Sequence, residues 1–299
     1  MGLKAKVNAV LLRATGHRIV PVRRRAARPT TRQQPAPRPP VPVVPGDRLV
    51  ETPVFILCSL RSGSTLLRVL LDSHPEIHAP HELHLRALNV RVRGRWARRS
   101  MQQLGLGPDG LRFLLWDRLL HRELARSGKK LIVDKTPNNV FVVDELLECW
   151  PDARFVFLLR HPAAIARSRA RLRPADAHNV ERIREYCEAL EQARRAHPGH
   201  TVRYEELTVD PERVTRGLCA YLGVEWDERM LDYGAHDHGP YRAGLGDFAD
   251  KIGKGRVQPA DPPPADVPAP LRQIAAAWGY GPGIPAADTP ATPKADTAS

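Results

Sequence analysis

Cysteine is scarce: four residues in 299, none in a C-x-x-C pair, which leaves no disulfide framework or thiolate metal site to build. Cys58, Cys149, Cys187 and Cys219 each fall in apolar or helical surroundings, the pattern of reduced core thiols in a cytoplasmic protein. No apolar run approaches the ~20 residues that span a bilayer. A signal peptide is not expected, because Arg13 interrupts the apolar part of the first residues and no A-x-A site follows. Lys6 occupies the place where a myristoylation signal wants Ser or Thr. Aromatics make up 6% of the chain and do not interleave with the arginine runs, which argues against single-strand nucleic-acid binding. An H-E-x-x-H motif is absent. His78, His81 and His84 have the spacing of one helix face, and His236 and His238 form a second pair. With no Cys/His set beside them they read as solvated or substrate-facing, and no metal is expected.

Acidic residues are missing from one region in particular. Met1 to Val50 holds 11 Lys/Arg and one acid, whereas the remainder carries 35 basic and 32 acidic residues. The pI of about 10.1 therefore belongs to the N-terminal arm and does not mark a nucleic-acid-binding body. Residues 1–22 form a basic segment, with Leu3, Val7, Val10, Leu11 and Ala14 at helical spacing, and 23–47 form a Pro/Arg-rich linker. The bland reading of this arm is a disordered tail. The sharper one is a peripheral contact of residues 1–28 with an anionic membrane or an acidic partner. A domain is expected over 48–281, and 282–299 read as an Ala/Thr/Pro tail.

What is present is concentrated in Val54–Asp72. An apolar strand-forming run, Val54 to Cys58, leads through a small-residue turn into a helix with Ser64 and Thr65 at its start. Strand, tight turn and helix start make an anion site, because the first helical N–H groups and the helix dipole both face the turn. Arg61 adds a planar cation, Gly63 allows close backbone approach, and Ser64 and Thr65 add hydroxyls. Laid over G-x-x-x-x-G-K-[ST], the stretch Cys58–Thr65 keeps Gly63 and Thr65 but has Ser64 at the lysine position. That lysine offsets the charge that moves in phosphoryl transfer, so the loop reads as one that holds an anion rather than splits a triphosphate.

Further along, Lys130–Asp134 and Arg154–Leu159 read as core strands, each followed by a helix, at 139–150 and from His161-Pro162. A short strand at 201–204, a charged helix at 178–197, a helix at 212–222 closed by Gly223, and a last helix at 271–278 complete the pattern. His81-Glu82 is expected to open another helical region. Arg98, Arg99, Arg112, Arg118 and Arg122 read as solvated helix faces. The Gly- and His-rich stretch 233–264 reads as a loop over the site. Continuous apolar strands alternating with helices give an α/β, P-loop-like three-layer fold: a central parallel sheet flanked by helices. Ligands of such sheets bind beyond the carboxyl ends of the strands, where Arg61, Lys135 and Arg160 all fall.

Arg61-Ser62-Gly63-Ser64-Thr65, followed by Leu66, Leu67 and His74-Pro75, resembles the 5′-phosphosulfate loop of sulfotransferases that use 3′-phosphoadenylyl sulfate (PAPS). FVFLLRHPAAIARSRAR resembles their 3′-phosphate segment, with Arg160 ending the strand and Ser168 eight residues on. The resemblance covers roughly residues 52–280. It implies PAPS as cosubstrate without a metal, Tyr204 near the adenine, and Lys254, Gly255 and Arg256 in a loop closing over the 3′-phosphate. It also implies a general base at Glu82, with adjacent His81 as the alternative, and Lys135 at the bridging oxygen and leaving phosphate. Relatives acting on protein tyrosines carry a serine near Phe248 or Ala249, where this chain has no hydroxyl. The expected reaction is sulfuryl transfer to a hydroxyl of a carbohydrate, lipid or other small molecule. The competing readings are a P-loop kinase-like phosphotransferase and a non-catalytic nucleotide-binding or membrane-docking protein.

Overall fold

The computed structural model describes residues 47–239 and 252–280. The N-terminal arm, the tail from 281, and Phe248 with Ala249 lie outside the described residues.

Five parallel strands form the sheet: β1 (Val54–Cys58), β2 (Ile77–His78), β3 (Leu131–Asp134), β4 (Arg154–Leu159) and β5 (His200–Arg203). Their order is β2-β3-β1-β4-β5, with β1 central between β3 and β4. The continuous apolar runs are covered on both faces. Phe55, Leu57, Phe155, Phe157 and Leu159 share one cluster with Trp116, Trp150 and Trp278, while Val54, Ile56, Cys58, Val156 and Leu158 pack in the other. Side chains alternate across a strand, so each strand feeds both layers.

The helices are α1 (Ser64–Asp72), α2 (Arg95–Gln103), α3 (Pro108–Ser127), α4 (Val143–Cys149), α5 (Pro162–Leu172), α6 (Asn179–Ala196), α7 (Tyr204–Val209), α8 (Pro211–Leu222) and α9 (Arg272–Ala277). The α1 residues Leu67, Leu70 and Leu71 fill one layer with Leu218 and Leu222 of α8. The other layer receives Phe113 of α3, Leu146 of α4, and Ile183 and Leu190 of α6. Gly223 stops α8 at φ 73, the left-handed conformation that closes helices.

Three expectations need correction. No helix opens at His81-Glu82. The chain there is irregular, with one short 3-10 turn at Leu85–Ala87, because its backbone bonds go to the end of β3 rather than to itself. The helix expected at 139–150 is split into a 3-10 turn, Pro137–Phe141, and α4. Asn139 is drawn inward to donate to Asp134 at 2.8 Å, which fixes the break. Arg112 is buried rather than solvated, paired with Glu145 at 2.8 Å and Asp109 at 3.2 Å.

Candidate active site

The turn after β1 places Arg61 at φ 63 and Gly63 at φ 88, two departures into the left-handed region on either side of Ser62. Glycine adopts this conformation without strain, whereas arginine does so only where its surroundings hold it. The hold is visible: Arg160, just past β4, donates from Nη1 to the Arg61 carbonyl at 2.8 Å, and Arg61 Nε donates to Ser168 Oγ of α5 at 3.2 Å. Two arginines 99 residues apart are thus locked together at the carboxyl edge of adjacent strands. No side chain caps α1 at Gly63, which leaves its first-turn N–H groups for an anion.

Tyr204, the first residue of α7, completes the frame. The Arg160 guanidinium lies 4.2 Å over its ring. A Cβ at Gly63 would fall 2.2 Å from Tyr204 Cδ2 and Cε2, so glycine is needed here for space as well as for φ. The tyrosine that the resemblance places near an adenine is packed against Gly63 and Arg160, and it braces the loop. Along the same edge, burial holds His161 below the usual imidazole range, partly offset by Glu205. Its Nδ1 accepts from Ala163 N and caps α5.

Around this frame is a pocket of about 420 Å³, within the range of small-molecule sites. Arg61, Gly63, Ser64, Thr65, Arg160 and Ser168 all line it, with Tyr204. Sequence reading missed Arg167 as a lining residue; it and Arg171 both line the pocket from α5. Among the described lining residues Asp261 is the one carboxylate against four arginines, so the pocket favours anions. From the 233–264 stretch, Tyr233, Ile252, Gln258 and Asp261 line it. Lys254 and Arg256 are exposed next to this wall, and Tyr233 donates to the Arg256 carbonyl at 2.9 Å. Gly255 lies against Gly234. Ser62, within the loop, is fully buried and does not line the pocket.

Glu82 and Lys135 do not line this pocket. They form a buried pair at the ends of β2 and β3, with Lys135 Nζ donating to Glu82 Oε1 at 2.6 Å. Cys58 links the two regions. Its thiol neighbours the Ser62 and Ser64 hydroxyls and feels the charges of Lys135 and Glu82, while burial pushes it up to about 11. The loop carrying Glu82 is pinned at the next two residues. Leu83 N donates to Asp134 Oδ1 at 3.3 Å and His84 N to Thr136 Oγ1 at 3.2 Å. Asp134 is fully buried, and burial raises it against the opposing hydrogen bonds of Asn139 and Thr136.

His84, at φ 52, turns Nε2 to within 3.3 Å of Glu82 Oε2 and is partly exposed. His81, the expected alternative base, instead places Nδ1 3.0 Å from the backbone carbonyl of Glu82. His84 was readable only as a neighbour in sequence, since its partner depends on a left-handed backbone that nothing in the composition signals. His238 is anchored elsewhere, with Nδ1 2.7 Å from Asp72 and Nε2 2.9 Å from the Tyr233 carbonyl. Burial would raise Asp72, but hydrogen bonds from His238, His78 and Ala79 N–H hold it well below the usual carboxylate range.

The model of the "Sulfotransferase family" matches residues 53–228, which hold both the anion loop and the Glu82–Lys135 pair. Protein-tyrosine sulfotransferase 1 of Danio rerio is 25% identical over 199 residues, 60% of this chain and 55% of that protein. Nodulation protein NoeE of Sinorhizobium fredii is 35% identical over 133 residues, 39% of this chain and 32% of that protein. The chain spans about half the length of the curated relatives it matches. Among solved structures, the sulfotransferase domain from the Synechococcus PCC 7002 olefin synthase is 25% identical. It superposes with a TM-score of 0.59 over 80% of this chain and 98% of that one.

Proposed function

Since the chain belongs to the sulfotransferase family, we propose that it moves a sulfuryl group from PAPS to a hydroxyl of a carbohydrate, lipid or other small molecule, releasing adenosine 3′,5′-bisphosphate. One observation carries the reading: Arg61, Arg160 and Ser168 meet at the uncapped start of α1, in a pocket with four arginines and one carboxylate. These residues fit a doubly anionic adenosine donor. The α1 N–H groups with Ser64 and Thr65 suit its 5′ end. Arg160 and Ser168 suit the 3′-phosphate from a strand end and a helix. Ser64 in place of the P-loop lysine speaks against the kinase-like alternative.

Glu82 takes the proton of the acceptor hydroxyl. The Lys135 ammonium holds that carboxylate ready in a site closed to water, where the interaction is strong. As Glu82 gains the proton it loses its charge and releases Lys135, whose ammonium, behind the pocket and next to the loop through Cys58, is then free to turn toward the charge developing on the leaving oxygen. His84 receives the proton from Glu82 Oε2 and passes it to solvent, to which its side chain is 38% exposed. The bound donor supplies the sulfuryl group; the chain supplies alignment, a base and cations.

The test is incubation of the full chain with ³⁵S-labelled PAPS and a metabolite extract of its own cells, followed by identification of labelled products. Label on a hydroxyl compound, lost with Arg160→Ala, is expected. No transfer, with magnesium-dependent ATP turnover instead, would establish the phosphotransferase reading.

A further inference from the structure

Between Glu82 and Asp109 the chain carries six arginines and no acid: Arg86, Arg91, Arg93, Arg95, Arg98 and Arg99. All six are exposed, and none makes an ion pair with a described residue. At the centre of this run is α2, nine residues long, of which not one is buried. A helix with no packed face is not held by the core. Its pattern is nevertheless two-sided. Projected at about 3.6 residues per turn, Arg95, Arg98, Arg99, Gln102 and Gln103 share one arc. Trp96, Ala97, Met101 and Leu104 share the other, with Ser100 among them. Trp96 is 68% exposed and Leu104 65% exposed, and Arg95 and Arg99 lie 4.7 and 5.8 Å from the Trp96 ring.

An exposed apolar arc ending in tryptophan, opposite an exposed arginine arc, is the make-up of a helix that lies in a membrane interface. The indole suits the headgroup level, and the arginines reach anionic phosphates while their stems cover apolar surface. A protein partner fits less well, because a helix this short offers far less than the ~800 Å² per side of a stable protein interface. Among the described residues no helix is long and apolar enough to cross a membrane, so the contact is with the surface.

We propose that α2 docks this enzyme on an anionic lipid surface, with Trp96 and Leu104 inserted shallowly and Arg95, Arg98 and Arg99 on the headgroups. The site lies 13 residues downstream of Glu82 in sequence, and the proposal stands or falls independently of the sulfuryl-transfer reading.

The experiment uses the full chain with vesicles of phosphatidylcholine alone or with phosphatidylglycerol, with and without bromine on the acyl chains. Sedimentation with the anionic vesicles only is expected, together with bromine quenching of tryptophan emission that is lost in Trp96→Phe. Arg95→Glu/Arg98→Glu/Arg99→Glu should weaken vesicle affinity at least tenfold with an unchanged melting temperature, because all three arginines are exposed and no residue of α2 is buried. Four outcomes overturn the proposal. They are sedimentation without Trp96-dependent quenching, no sedimentation at all, capture by polyglutamate in place of vesicles, or a melting shift showing that α2 belongs to the folded core.

Discussion

Glu82→Ala should do two separable kinds of damage. Lys135 has 1% of its side chain exposed and Glu82 9%, and their 2.6 Å contact is the ammonium's escape from an unpaired buried charge. Deleting one member of such a pair costs about 3–5 kcal/mol, a large share of the ~5–15 kcal/mol that holds a domain folded. For a domain of this size the melting temperature should fall by roughly 6–20 °C. Glu82→Gln keeps an oxygen for Lys135 and loses only the charge and the basicity. It should melt much closer to wild type, keep its affinity for adenosine 3′,5′-bisphosphate, and lose about 10²–10⁴ in kcat. Glu82→Leu/Lys135→Met should recover much of the stability and none of the activity, because a buried ion pair exchanged for apolar side chains is often neutral. Thermal melting, nucleotide titration and label transfer read the three effects. Wild-type turnover in Glu82→Gln would remove Glu82 from the mechanism. A Glu82→Ala chain that melts like wild type would refute the buried pair itself.

Gly63→Ala forces a side chain into the left-handed region, at about 1–2 kcal/mol, and drives its Cβ into the Tyr204 ring 2.2 Å away. Nucleotide affinity measured by calorimetry should fall at least tenfold; unchanged affinity would mean that the ring does not brace the loop. Ser168→Ala removes the acceptor of the Arg61 Nε bond and should weaken nucleotide affinity about fivefold, the equivalent of about 1 kcal/mol, with kcat little changed. Burial pushes Cys58 and Cys219 up to about 11 and Cys149 and Cys187 up to about 12, from 9.0. The unfolded chain therefore loses these protons first. Their contribution to stability is whole below pH 9 and is lost as the pH climbs through 11 to 12. Urea midpoints should drop between pH 8 and pH 10, and Ellman's reagent at pH 8 should find no thiol until the chain unfolds. Immediate labelling of the native protein would contradict this.

The sheet and the anion loop were legible because their causes are local. Val54–Cys58 and Arg154–Leu159 are unbroken apolar runs, as strands buried on both faces must be, and the small residues of the turn announce close backbone approach. Arg61 and Arg160 could be placed on one rim from topology alone, since both follow strands of a parallel sheet. The surroundings of Glu82 were not legible. Its loop is shaped by Asp134 and Thr136, 51 and 52 residues away from their backbone partners, and those bonds override any helical preference at 81–84. The pairing of Glu82 with Lys135 spans 53 residues and leaves no periodic trace. Arg112 misled for the opposite reason: an arginine on a charged helix is usually solvated, and its burial is made tolerable by Glu145 arriving from α4 beside Asp109 of its own helix.

The central claim is that the Arg61–Arg160–Ser168 frame grips a doubly anionic adenosine nucleotide without the help of a metal. Titration of the full chain with adenosine 3′,5′-bisphosphate in EDTA, beside ADP and AMP, tests it most directly. The account predicts one site, a marked preference for the 3′,5′-bisphosphate, and at least a tenfold loss in Arg160→Ala. Binding that requires magnesium and favours ADP or ATP, with the 3′,5′-bisphosphate excluded, would contradict it.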